Sequence, residues 1–189
     1  MADQQDDQIM NRVRDGDLES FAELFDRHHQ SLYRFFYHLS GSGALAEDLT
    51  QEVFFRMLKF RASFQPGAKF APWMYQIARN AHVDHLRKRR HEAPLFSGDS
   101  EGAWEFPSHA PTAEMEMLKG HDLATLRRAM MQLSPERREL LVLSRWQNLR
   151  YQDIAQITGI EVGAVKARAF RAMKQLGEIF FQLQGRKAS

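Results

Sequence analysis

Lys166, Arg168, Arg171 and Lys174 recur within a short stretch that holds no acidic side chain, and the apolar residues around them keep helical spacing from about Val162 to Leu176. A helix with that charge can neutralise phosphates and offer long polar side chains to base edges in a major groove. A basic helix taken alone is as often a solvated face. The residues before it narrow the reading. In YQDIAQITGIEVGAV (Tyr151 to Val165), Ile154, Ala155, Ile157, Ile160 and Val165 flank Thr158-Gly159, where glycine suits a cramped or left-handed turn between two short helices. Small Ala155 lets the two helices approach closely. The pattern is a helix-turn-helix, whose second helix reads DNA.

A second set of chemically capable residues lies earlier. Arg79, Arg87, Lys88, Arg89 and Arg90 form a basic block beside Asn80, which carries both a donor and an acceptor. Phe64, Trp73 and Tyr75 lie just upstream as aromatic surfaces, with Trp73 falling in an apolar stripe that favours the core. His82 and His85 stand three apart on the same predicted helix, with Asp84 between them. A metal site of that kind draws further ligands from facing helices, so no metal is expected. Glycine-rich phosphate loops, nucleophile elbows and paired catalytic carboxylates are missing. The chain reads as a non-enzyme without cofactors.

Elements to position these groups follow from periodicity and caps. Four helices are expected before residue 91: one near Asp6 to Asp15; one after Asp17 with Phe21, Leu24, Phe25, Leu32, Phe35, Phe36 and Leu39 on a broad face; one carrying Leu45, Leu49, Val53, Phe54, Met57 and Leu58; and one carrying Trp73, Met74, Ile77, Ala78 and Ala81. Gly41-Ser42-Gly43 and the loop RASFQPGAK separate them. Further on, Met115 to Leu133 reads as a helix, and Ser134-Pro135-Glu136 is a helix start with serine as N-cap. Between His91 and Leu118 there is no Lys or Arg; this strap is rich in proline, glycine and serine and reads as a linker. Trp104 and Phe106 are unusual within it and suit local packing or insertion into a partner. The expected fold is all-α: a four-helix domain over residues 1–91, a flexible acidic linker over 92–113 and a helix-turn-helix domain over 114–189.

Bulk composition sets limits. The chain has 189 residues, 43% hydrophobic, net charge +2 and no cysteine, so disulfides and thiolate metal sites are excluded. No apolar run is long enough to span a membrane, and the acidic start MADQQDDQIM is unlike a signal peptide; a soluble, cytoplasmic protein is expected.

AEDLTQEVFFRML (Ala46 to Leu58), FAPWMYQIARNAHVDHLRKRR (Phe70 to Arg90) and LSPERRELLVLSRWQNLRYQDIAQITGIEVGAVKARAFRAMKQL (Leu133 to Leu176) resemble, in order and spacing, regions 2 and 4 of the extracytoplasmic-function (group IV) sigma factors of bacterial RNA polymerase. The resemblance covers nearly the whole chain. It implies an alternative sigma factor, a stress-response class of regulator, that brings core polymerase to promoter DNA. It assigns Asp48, Gln51 and Glu52, at spacings of three and four, to docking on the clamp helices of the largest subunit, with the flap as a further contact. Phe64, Asn80, Arg79, Arg87, Lys88 and Arg90 would read and hold the opened minus-ten element, a task needing an apolar pocket, a polar reader and cations. Lys166, Ala167, Arg168, Phe170, Arg171 and Lys174 would read the minus-35 duplex. Ala167 departs from the usual serine and Met173 from the usual arginine, removing a hydroxyl and a charge.

The linker of about 22 residues reaches at most ~70 Å, near two turns of duplex at ~34 Å each, so it can bridge both elements. The resemblance threads it toward the active-site cleft, with Asp99, Glu101 and Glu105 in a basic channel. The exposed docking face and basic helix call for an anti-sigma protein, wedged between or clamped over the domains; mutual occlusion of the two domains is the alternative. From another class, a free-standing helix-turn-helix regulator would bind its site without polymerase.

Overall fold

The structure, a computed structural model, describes residues 2–92 and 113–185, with side chains over 4–89 and 122–185. The strap residues Asp99, Glu101, Trp104, Glu105 and Phe106, and the side chain of Arg90, lie outside that description. The described residues are helical without strands: α1 (Ala2–Arg14), α2 (Phe21–Ser40), α3 (Gly43–Lys59), a 3-10 turn (Arg61–Ser63), α4 (Phe70–Glu92), α5 (Ala113–Gln132), α6 (Pro135–Leu141), one turn of π-helix (Val142–Trp146), α7 (Tyr151–Thr158) and α8 (Val162–Leu183).

In the N-terminal module α2 packs against α3 and α1, and α4 closes the bundle against α3 and α1. The apolar stripes dictate this. Leu24, Leu32, Phe35 and Phe36 of α2, Val53 and Met57 of α3 and Met74 of α4 are fully or almost fully buried, each large side chain contributing about 1.5–3 kcal/mol. The chain enters α2 three residues later than a cap at Asp17 implies: Asp17 accepts from the backbone and hydroxyl of Ser20, and Ser20 occupies the cap. Helix α2 ends on Gly41, whose φ of 73° suits a residue without Cβ. Ser42 then caps α3 by accepting from the Leu45 amide. Asp7 of α1 accepts at 2.6 Å from the Phe70 amide, so a neighbouring helix caps α4.

The C-terminal module packs α8 across α5, α6 and α7. Ser134 caps α6, with Pro135 in its first turn. The π turn after α6 has no counterpart in the sequence reading; it closes with the Gln147 amide on the Val142 carbonyl at 3.0 Å and buries Val142 and Leu143.

The two modules touch. Helix α4 lies against α7, and α2 meets the π turn, α5 and α6, so the buried apolar residues of both form one continuous core. Their polar contacts are specific. The Gln147 side-chain oxygen accepts from Tyr75 at 2.6 Å and Ser31 at 2.8 Å; Lys69 reaches buried Asp153 at 2.9 Å; Arg79 pairs with Glu139 at 3.1 Å. Arg138 gathers four carbonyls, those of Met130, Met131 and Leu133 at the end of α5 and that of Leu39 across the junction.

Candidate nucleic-acid interface

Gly159 ends α7 at φ 71°, donating to the Ala155 carbonyl at 2.9 Å, and releases the chain into α8. Ile154, Ile157, Val165, Ala169 and Ala172 are buried where the helices meet. Glu161, unnoticed in the sequence, accepts from the Gly163 and Ala164 amides and caps α8. Its charge also complements the helix dipole. Lys166, Ala167, Arg168, Phe170, Arg171 and Lys174 are all exposed.

These six residues do not share one face. Lys166, Ala167 and Phe170 line a groove with Gly163, Met173, Tyr151 and Arg145. Arg168 and Arg171 turn instead into a crevice of about 310 Å³ at the junction of the modules, beside Arg137, Glu136, Glu139 and Arg79. Arg171 also donates to its own helix at the Ala167 carbonyl. One flank of α8 is therefore mixed apolar and basic, the other cationic.

On α4, Asn80 is exposed, as are Arg87 and Lys88 further along the helix. Arg79 is half-buried in its pair with Glu139, whose carboxyl is pushed up by burial against the opposing pull of Arg79. Phe64 corrects the expectation of a base-contacting loop aromatic: its ring is fully buried, edge-on to Trp73 at 5.3 Å. Arg14 reaches its carbonyl from α1. Tyr75 is buried too, its hydroxyl pushed up by burial while bonded to Ser31 and Gln147; it presents no face for stacking. Trp73 is half-buried against the core and donates to Ser63, as its apolar register implies.

Asp48 and Gln51 are exposed on α3. Glu52 holds Arg56 at 2.6 Å, and Arg56 reaches Asp84 on α4 at 2.8 Å, so this edge is a charged ladder. Phe55, 62% exposed, stands beside it. Neither this edge nor the outward residues of α8 is buried by the other module. His82 and His85 bring no further ligands together: among the described residues there is no group able to hold a metal ion. No described helix is long and apolar enough to cross a membrane.

Sequence reasoning missed Lys69, Arg138, Glu139, Gln147 and Asp153 as junction residues. Their partners across the junction lie tens of residues away, and no local period announces such pairs.

Residues 24–92 match the family described as Sigma-70 region 2, and residues 123–176 match Sigma-70, region 4. The chain is 35% identical to the RNA polymerase sigma factor CarQ of Myxococcus xanthus, covering 93% of this chain and 97% of that protein. It is 29% identical to the RNA polymerase sigma-H factor of Pseudomonas aeruginosa over 93% and 94% of the two chains. Among solved structures, the sigma factor RpoE of Bartonella quintana, in complex with the anti-sigma factor NepR, superposes with TM-score 0.70 at 25% identity, covering 85% of this chain and 96% of that one.

Proposed function

The chain belongs to the extracytoplasmic-function sigma factors of bacterial RNA polymerase, and on that premise we propose how its parts divide the work of initiation. It is an alternative sigma factor for promoter-specific transcription initiation, and sigma factors are initiation factors without catalysis of their own. Residues 1–91 act as region 2, residues 92–113 as the linker and residues 114–189 as region 4. The protein works where the polymerase is, in the cytoplasm.

Core polymerase docks on the α3 edge of Asp48, Gln51 and Glu52. Asn80, exposed on α4, reads an unstacked base of the minus-ten element, with Arg87, Lys88 and Arg90 holding the backbone and Arg79 joining them once released from Glu139. Phe64 takes no part in base contact and supports the loop from within. Helix α8 enters the major groove of the minus-35 element: Arg171 reads a base edge and Lys166 holds phosphate. The observation that carries this reading is the order of the two matched regions, each with a basic helix that exposes cations, Arg87 and Lys88 on α4 and Lys166, Arg168, Arg171 and Lys174 on α8.

Inhibition by a protein fits the same premise. The Bartonella relative was solved with an anti-sigma factor, and its match spans both modules, while the docking edge and α8 of this chain stay open although the modules touch. An anti-sigma protein covers both.

Mixing the chain with bacterial core polymerase tests the assignment. The two should co-elute in gel filtration, and Asp48→Arg with Gln51→Arg should abolish co-elution without changing thermal unfolding. A chain that binds duplex but never core would be the free-standing regulator instead.

A further inference from the structure

Helix α1 precedes the residues matched to region 2, which begin at residue 24, and it buries Ile9, Met10 and Val13 in the core. Its polar side is more ordered than a solvated face requires. Asp7, Asn11 and Arg14 form one row: the Asn11 side-chain amide donates to the Asp7 carbonyl at 2.8 Å, and Arg14 donates to the Asn11 side-chain oxygen at 2.8 Å. The row meets the loop between α3 and α4 at both of the loop's ends. Arg14 donates to the Phe64 carbonyl at 3.5 Å, and the Asp7 carboxylate accepts from the Phe70 amide at 2.6 Å. Asp6, next to Asp7, accepts from Arg27 and bonds His28 on α2, each at 2.9 Å, which keeps α1 from rolling.

Helix geometry gives this row a fixed length. Asp7 and Arg14 stand two turns apart on one face, about 10 Å at ~1.5 Å per residue, whereas the free chain from Phe64 to Phe70 could span up to ~20 Å. Helix α1 therefore selects one span for the loop. Within it Gly67 takes φ 78° and the Ala68 amide donates to the Gln65 carbonyl at 3.0 Å, leaving Gln65, Pro66 and Gly67 exposed at the tip. The loop has no means of holding the start of α4 by itself, because Lys69, the residue before the helix, carries no side-chain acceptor for the free amides of the first turn. Asp7 supplies that acceptor from another helix. Asn80 lies on the same α4, about 15 Å beyond Phe70, so the direction set at the first turn is carried to it. We propose that Asp7 and Arg14 are positioning residues for promoter opening, bracing the loop and the first turn of α4 so that Asn80 meets the unstacked base of the minus-ten element. This rests on the proposed base contact of Asn80 and deepens it by naming what aims it.

The test uses holoenzyme, the full chain assembled on bacterial core polymerase, and a single-stranded oligonucleotide bearing the minus-ten element of the promoter it enriches from a random-sequence library. Asp7→Ala should weaken oligonucleotide binding about fivefold, the loss that removal of a helix cap carries, and Asp7→Asn, which keeps an acceptor, should restore most of it. Arg14→Ala, which leaves the cap in place, should weaken the same binding about threefold. Both losses should shrink in an Asn80→Ala background, because the contact being aimed is already gone; a brace that served folding alone would add its loss to that of Asn80→Ala in full. Co-elution with core, made through the α3 edge, should persist in Asp7→Ala and Arg14→Ala and reports that each is folded; if Asp7→Ala does not fold, Arg14→Ala carries the same comparison. Full additivity with Asn80→Ala, or wild-type binding by both Asp7→Ala and Arg14→Ala, overturns the brace while leaving base reading intact. Wild-type binding by Asn80→Ala defeats both.

Discussion

Phe64 and Asn80 illustrate how far single residues can be read from sequence. Both lie in or beside the segment assigned to strand opening, but Phe64 is fully buried and Asn80 is exposed. A loop has no periodicity to say which way an aromatic points, and here Trp73 and the Arg14 contact fix it inward. Phe64→Ala should therefore lower stability by about 3–5 kcal/mol, seen as a drop in Tm. Asn80→Ala should leave Tm unchanged and reduce permanganate reactivity of promoter thymines in the open complex. Equal Tm for Phe64→Ala and wild type would return the ring to the surface. For α8 the identity of the exposed residues was legible, because buried Val165, Ala169 and Ala172 keep helical spacing and leave the others outside. Arg171→Ala should weaken binding to the preferred duplex by ~1–3 kcal/mol and relax its specificity, whereas Lys166→Ala should weaken all duplexes and flatten the salt dependence. Uniform loss in both variants on every sequence would contradict the division of roles.

At the scale of elements, helices with an apolar stripe and a punctuating glycine were legible, and their boundaries shifted where side chains compete for caps. Ser134 and Gly159 act as the sequence implies. Glu161 escaped notice because glutamate is an uncommon cap, yet it accepts from two amides at the start of α8. Glu161→Ala should cost ~1 kcal/mol of stability and loosen the first turn of α8, measurable as faster amide exchange at Gly163 and Ala164. Unchanged exchange there would show that the cap contributes nothing. The π turn could not be read: Val142 and Leu143 look like a continuing α-helix, and only the junction with α2 makes the widened turn useful, by setting Gln147 against Ser31 and Tyr75.

The whole molecule differs most from the sequence picture, since nothing local announces that the modules touch. Two half-buried histidines give that contact a pH dependence. His38, on the ring of Trp146 at 5.0 Å, is lowered to about 4 by burial and by Arg34. His82 is lowered to about 4 by burial, His85 and Arg138. Both are neutral in the closed form, so above an ordinary pKa of 6.5 they impose no pH dependence. As pH falls from 6.5 toward 4 the opened or unfolded chain binds protons that the closed form refuses, and closure loses stability. Small-angle scattering should show a larger radius at pH 5 than at pH 7.5, and His38→Gln with His82→Gln should remove the difference; an unchanged radius would refute the linkage. The central claim, that the chain directs core polymerase to a promoter and helps open it, is tested most directly by run-off transcription with purified core on a template carrying the sequence enriched by holoenzyme. A discrete transcript that requires the chain and is lost with Asp48→Arg and Gln51→Arg is the expected result; a chain that occupies the same template while core starts nothing would contradict it.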